Sequence, residues 1–279
     1  MEKIVVAVSG VAGSHPAIDW ALAYAAHRDA SVELVHVVDT TWGHAPVDYI
    51  ETALLRAEEH LRDRADAARR AAPGTPVTSH VHFGSPVNEL VASARGAALL
   101  VVGAHPEGRY SGAGAGAVRL ARLAPCSVVI VPVADVVPAG HGVVVGTDGS
   151  EASLPAVEFA AQLADRYHED LTAVYAWGHP EPWGLTEPVL VDTEPVEEDR
   201  MVVAESLAGI SSRYPDLVVH VEISGSRPEV ALPAAATGAR MLVVGAHGRS
   251  ALSRALLGSV SESVVAELPC TVAVIRAAE

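Results

Sequence analysis

The stretch Met241-Leu242-Val243-Val244-Gly245-Ala246-His247-Gly248 decides the fold. Its apolar residues run without alternation into a glycine-rich turn, as a strand buried on both faces should. The same wording stands earlier as Leu99-Leu100-Val101-Val102-Gly103-Ala104-His105. Ala124-Pro125-Cys126-Ser127-Val128-Val129-Ile130 likewise returns as Leu268-Pro269-Cys270-Thr271-Val272-Ala273-Val274. Ser14 and Pro16 return as Ser153 and Pro155. The offset drifts from 139 at Ser14 to 144 at Cys126. A slow drift means a tandem duplication with small insertions, since a solenoid would repeat every roughly 20–50 residues.

Working outward, each half alternates strand and helix. In the second half, strands are expected at Val143–Thr147, Leu171–Trp177, Leu217–Ile223, Arg240–Val244 and Cys270–Ile275. Helices are expected from Ser153, over about 196–212, 228–237 and 259–267. Ser153 can cap its helix and Pro155 suits the first turn. Ala156, Ala160, Leu163 and Ala164 share one face of that helix. The first half repeats the series from Ile4 to about Val133. The expected architecture is α/β: two tandem, open, parallel five-stranded sheets with helices on both faces, Rossmann-like. The expected boundaries are residues 1–133, a Pro- and Gly-bearing linker over 134–141, and residues 142–279. In such sheets ligands bind beyond the carboxyl ends of the strands, where the strand order reverses.

The chain has 279 residues, half of them hydrophobic, with a formal charge of −15. That length holds about two domains. The charge argues against nucleic acid and against a polybasic membrane anchor. Two cysteines exclude a disulfide scaffold. The first strand begins almost at Met1, and no apolar stretch is long enough to span a bilayer. A cytoplasmic protein is expected. Lys3 is the sole lysine, so a phosphate loop of the GxxxxGK[ST] type is excluded.

The loop after the fourth strand of the second half carries the chemistry. Two residues separate Gly245 from Gly248, and nine more separate Gly248 from Gly258-Ser259, where a helix opens. Glycines let backbone N–H groups approach a phosphate closely. A helix start adds unpaired N–H donors and partial positive charge. Ser259 and Ser261 offer hydroxyls and Arg249 offers charge, giving an anion cradle without lysine.

This G-x2-G-x9-G-[ST] pattern resembles the ATP-binding signature of the universal stress protein family, and the resemblance spans nearly the whole chain as two copies. It implies an adenine nucleotide over the carboxyl edge of the sheet. By resemblance, Asp148 in Gly146-Thr147-Asp148 lies near the nucleoside, Ala176 borders the adenine and Gly245 the ribose. Gly248, Arg249, Gly258, Ser259, Val260 and Ser261 match the phosphate side, and Ala246, His247 and Ser250 complete the set. ATP with Mg2+ is the expected ligand, with a homodimer and a regulatory protein as further partners.

The first half departs from the pattern. Ala7 and Ser9 replace Gly146 and Asp148. Pro106, with no N–H, replaces Gly248, and Ala115 replaces Ser259. Glu107 adds a carboxylate where phosphate charge would arrive. This half is read as a degenerate site. Gly112-Ala113-Gly114-Ala115-Gly116-Ala117 mimics a dinucleotide fingerprint, but its glycines begin well after the strand, so a Gly-rich loop before a short helix from about Ala117 is expected. Ser9-Gly10-Val11-Ala12-Gly13-Ser14 resembles the loop of adenylating enzymes without its acidic residue.

Other features read as structural. His80 and His82 share a strand face with no third ligand placed beside them. Cys126 and Cys270 read as small buried hydrophobes. The mixed charges from Glu58 to Arg70 form a solvated helical face, and the acids from Glu194 to Asp199 suit a helix start. Asp148 has a competing reading as a helix cap. The functional expectation is therefore an ATP-binding stress-response regulator without catalytic residues. The alternatives are a nucleotide-independent dimeric assembly module, a slow ATPase and an adenylating enzyme.

Overall fold

The structure is a computed structural model. It describes residues 1–9, 15–26, 28–41, 47–104, 114–132, 140–178, 197–248 and 257–277. The chain divides into two compact units, Met1–Val136 and Val137–Glu279.

The first unit contains β1 (Glu2–Ala7), α1 (His15–Ala25), β2 (Ala30–Asp39), α2 (Val47–Ala71), β3 (Val77–Gly84), α3 (Pro86–Ser93), β4 (Leu99–Ala104), α4 (Gly114–Leu123) and β5 (Ser127–Pro132). Its strands are parallel in the order β3-β2-β1-β4-β5. The second unit contains β6 (Val143–Thr147), a 3-10 turn (Glu151–Ser153), α5 (Leu154–Tyr167), β7 (Leu171–Ala176), α6 (Glu197–Ser206), α7 (Ile210–Arg213), β8 (Val219–Ser224), α8 (Pro228–Ala235), β9 (Met241–Gly245), α9 (Ser259–Glu267) and β10 (Thr271–Ile275). Its strands are also parallel, in the order β8-β7-β6-β9-β10.

The central strands are apolar because both their faces are covered. Ile4, Val5 and Val6 of β1 are fully buried, as are Val143 and Val145 of β6 and Met241 to Val243 of β9. Ala156, Ala160 and Ala164 of α5 are fully buried and Leu163 nearly so, which confirms the face read from their spacing. Among the described residues no helix is long and apolar enough to cross a membrane.

Some boundaries differ from expectation. The single helix expected over 196–212 is two, because Gly209 adopts a left-handed φ of +79° between α6 and α7. α4 begins at Gly114 rather than about Ala117, so Gly114 and Gly116 belong to the helix. Residues 105–113, with Pro106 and Glu107, lie outside the described residues. Ser153 does not cap α5 through its side chain. Its hydroxyl donates to Ser150 O at 2.8 Å instead.

The amino ends of the second unit's strands are tied by charge. Glu169, between α5 and β7, accepts from the Arg240 guanidinium (Nε at 2.8 Å) and from the Gly142 N–H at 2.7 Å. Arg240 also lies over the Tyr167 ring at 4.8 Å. Burial alone would raise the Glu169 carboxyl, but the hydrogen bonds from Arg240 and Gly142 outweigh it and hold it below its ordinary value. A lowered carboxyl stabilises the fold above its unfolded value, and that contribution is lost as pH falls through the folded value. Glu169→Gln should therefore lower urea stability at pH 7, and the deficit should shrink at pH 3. An equal deficit at both pH values would detach it from this carboxylate.

Cys270 is 1% exposed, and burial pushes its thiol up to about 12. Cys126 is buried too. Neither thiol should react with an aromatic disulfide reagent at pH 8 until the protein is unfolded; rapid labelling of the native chain would contradict this.

Candidate nucleotide site

The strand order builds the site. From β6 the chain steps to β7 on one side, then returns to β9 on the other. The carboxyl ends of β6 and β9 thus diverge at a reversal point, where ligands of open parallel sheets bind. Asp148 follows β6 there, and Gly245 to Gly248 follow from β9.

Two hydrogen bonds hold β9 to the start of α9. Gly258 N–H donates to Ala246 O at 2.9 Å, and the Ser261 hydroxyl donates to Gly245 O at 2.6 Å. The helical ladder begins with Glu262 N–H to Gly258 O at 2.9 Å. The N–H groups of Ser259, Val260 and Ser261 precede that ladder and have no intrahelical acceptor. Ser259 is exposed and Val260 half-buried, so this helix end is open to a ligand.

Asp148 is half-buried and makes an Asx turn: Oδ1 accepts from the Ser150 N–H at 3.0 Å and from the Ser150 hydroxyl. The carboxylate caps this turn rather than α5. Its Oδ2 stands where a Cβ on Gly248 would reach within 2.6 Å. A side chain at the second signature position would displace the acid from this place. The two loops that the resemblance assigned to one ligand therefore meet in space.

Ala176 ends β7 and is half-buried; its neighbour Tyr175 pairs in register with Thr147, which places Ala176 beside the Asp148 turn. Gly178, just beyond, has φ +47°, and a Cβ there would meet Arg227 Cα at 2.7 Å. His247 is half-buried. Arg249 and Ser250 lie outside the described residues.

Several expected ligand groups are committed to the protein itself. Gly146 faces the core, where a Cβ would come within 2.9 Å of Leu232 Cδ2, so its glycine serves packing against α8. Ala246 is 1% exposed; its N–H donates to Ile275 O at 2.8 Å and its carbonyl accepts from Gly258. The Gly258 N–H is therefore engaged, and so is the Ser261 hydroxyl. The remaining candidate donors are the backbone N–H groups one to three residues further into α9. Thr147 is 6% exposed and points inward, so it supports the turn from beneath.

Gly146→Leu should destabilise the second unit by about 1–3 kcal/mol through overpacking against Leu232. Urea unfolding within a few tenths of a kcal/mol of the natural protein would refute this packing role.

Sequence reading missed the support beneath the turn. The Thr147 hydroxyl lies 3.0 Å from Ser153 Oγ and 3.1 Å from Ser206 Oγ. Ser206 is 59 residues away, and no local spacing signals the contact. Cavities among the described residues also lie elsewhere. One of about 500 Å³ is lined by His36, Arg56, His60 and Asp63 in the first unit. Another, of about 420 Å³, lies at the amino ends of β6 and β7, beside Glu169 and His220.

Comparison with known proteins defines the class. The model of the universal stress protein family matches residues 1–132 and again 141–276. A universal stress protein of Mycobacterium tuberculosis is 34% identical over 287 residues, covering 97% of this chain and 96% of its own. One from Mycolicibacterium smegmatis is 32% identical, covering 98% and 96%. A solved universal stress protein structure from Archaeoglobus fulgidus superposes with a TM-score of 0.74 at 19% identity, over 99% of this chain and 97% of that one. The chain belongs to the universal stress protein family and carries two copies of its domain.

Proposed function

We propose that this protein is an ATP-dependent regulator in the stress response, with the nucleotide held by its second half. The observation that carries the reading is the convergence of the Asp148 turn, the Gly248 backbone and the open N-terminus of α9 at one reversal point of the sheet. Close backbone approach, N–H donors and a helix dipole suit a polyphosphate. Mg2+ would ride on the phosphates, since no group of three or more His, Cys, Asp or Glu that could hold a metal occurs among the described residues. Native mass spectrometry of the freshly purified protein tests the reading: bound ATP supports it, and an empty chain that also fails to take up added ATP ends it. A second copy of the chain is part of the proposal, and light scattering that gives only the monomer mass would remove it.

Among its described residues, the first half carries different groups at the matching positions. Ala7 and Ser9 stand at the end of β1, and Ala115 lies inside α4. One ATP per chain is therefore expected, and calorimetry giving two equivalent tight sites would refute this.

The reading is of a binder rather than an enzyme. A cradle of backbone N–H groups stabilises ground-state phosphates, whereas acceleration needs groups that act mainly in the transition state. Asp148 Oδ1 is already engaged by Ser150. Steady-state phosphate release should lie far below the ordinary enzyme range of about 1–10³ per second. Release of several per second would make the protein an ATPase.

A further inference from the structure

Three hydroxyls lie buried under the Asp148 turn: Thr147 at 6% exposure, Ser153 at 3% and Ser206 at 5%. Buried hydroxyls are retained only when their hydrogen bonds are made. Thr147 Oγ1 accepts from the Gly149 N–H at 3.2 Å, so the hydroxyl sets the conformation of the turn itself. It donates to Ser206 Oγ at 3.1 Å, and Ser206 donates onward to Val202 O at 2.9 Å. Ser153 gives its proton to Ser150 O. The chain of bonds runs from the backbone of the turn, through Thr147, into the last turn of α6.

We propose that Ser206 is a positioning residue for the nucleotide edge: through Thr147 it holds the Thr147–Ser150 turn, and it thereby couples ATP binding to the order of α6. The proposal rests on the ATP reading above and deepens it. The turn carries Asp148, whose carboxylate lies against Gly248, so a ligand that orders these two loops also orders whatever restrains the turn. Coupling of this kind is reciprocal: a change at α6 that loosens the turn weakens ATP binding, and ATP tightens α6.

Removing the Ser206 hydroxyl leaves no buried group stranded. The Thr147 proton can turn to Ser153 Oγ at 3.0 Å, and Val202 O keeps its helical position four residues before Ser206. Ser206→Ala should therefore fold while losing the tie to α6. Ser206→Thr and Ser206→Val have the same shape and differ only in the hydroxyl, so the pair separates hydrogen bonding from packing.

The experiment is ATP titration by calorimetry of the natural protein and the three variants, with amide hydrogen exchange of residues 197–206 measured with and without ATP. The Ala and Val variants should bind ATP about fivefold or more weakly, and Thr should rescue the affinity relative to Val. In the natural protein, ATP should slow exchange across α6, and in the Ala variant it should not. Unchanged affinity in both Ala and Val overturns the proposal while leaving the ATP reading intact. A natural protein that takes up no ATP overturns both. If every variant unfolds, the natural protein still decides: α6 exchange that saturating ATP leaves unaltered overturns the coupling, and slowed exchange supports it.

Discussion

If the second half holds ATP as proposed, ATP is expected to stabilise the natural protein against heat, and Gly258→Glu to abolish that gain. Position 258 precedes α9 with φ −67° and ψ 151°, a conformation open to any residue. A Cβ there would meet its neighbours at 3.5 Å and beyond, which is ordinary contact. The Gly258 N–H keeps its bond to Ala246 O whatever the side chain. The variant should therefore fold with near-natural stability in the absence of nucleotide. What it adds is a carboxylate at the mouth of the Ser259, Val260 and Ser261 N–H groups, where a phosphate would sit. A negative charge is favourable at a helix start, so the added carboxylate competes for those donors and repels an incoming anion. For the natural protein at an ATP concentration 100 times its dissociation constant, binding contributes about 2.7 kcal/mol. That amounts to a rise in Tm of roughly 5–10 °C for units of this size. Differential scanning calorimetry with and without ATP reads it directly. Gly258→Gln, equal in shape but uncharged, should keep more of the shift. A full shift in the Glu variant would remove α9 from the phosphate site.

Leu242→Ala should unfold the second unit more easily by about 2–5 kcal/mol. Leu242 is fully buried at the middle of β9, paired in register with Val144 of β6 and Val272 of β10. Close-packed neighbours on both faces of a parallel sheet cannot collapse fully into the space the side chain leaves, so the cavity cost adds to the lost transfer energy. Val230→Ala on α8 is the control: that side chain is 62% exposed, and its removal should cost no more than about 0.5 kcal/mol. Urea titration of both variants provides the comparison. A Leu242 cost no larger than that of Val230 would mean that the sheet centre is not packed as described.

Sheet class and duplication were legible in the residues, and so was the sheet edge at which the glycine-rich loop leaves β9. Unbroken apolar runs such as Val143–Val145 and Met241–Val244 specify strands buried on both faces, and their alternation with helices specifies parallel pairing. The glycine spacing from Gly245 to Gly258 marked the carboxyl edge because backbone geometry is local: a turn or a helix start is encoded within a few residues. The break between α6 and α7 is not legible in the same way. A helical pattern on either side of Gly209 looks continuous until the backbone is seen to turn left-handed there.

Tertiary structure alone decided which atoms are available to a ligand. Gly146 and Gly248 look alike as letters, yet one accommodates Leu232 and the other accommodates Asp148. Ser261 matches the signature, but its hydroxyl is already bonded to Gly245 O. Ser206 carries no motif, and it reaches Thr147 only because α6, packed on β7 and β8, brings its last turn beside the end of β6. Chain pattern records what each residue can donate or accept. Which partner takes that capacity depends on groups brought together from distant parts of the chain, 16 residues away for Ser261 and 59 for Ser206, and packing makes that choice.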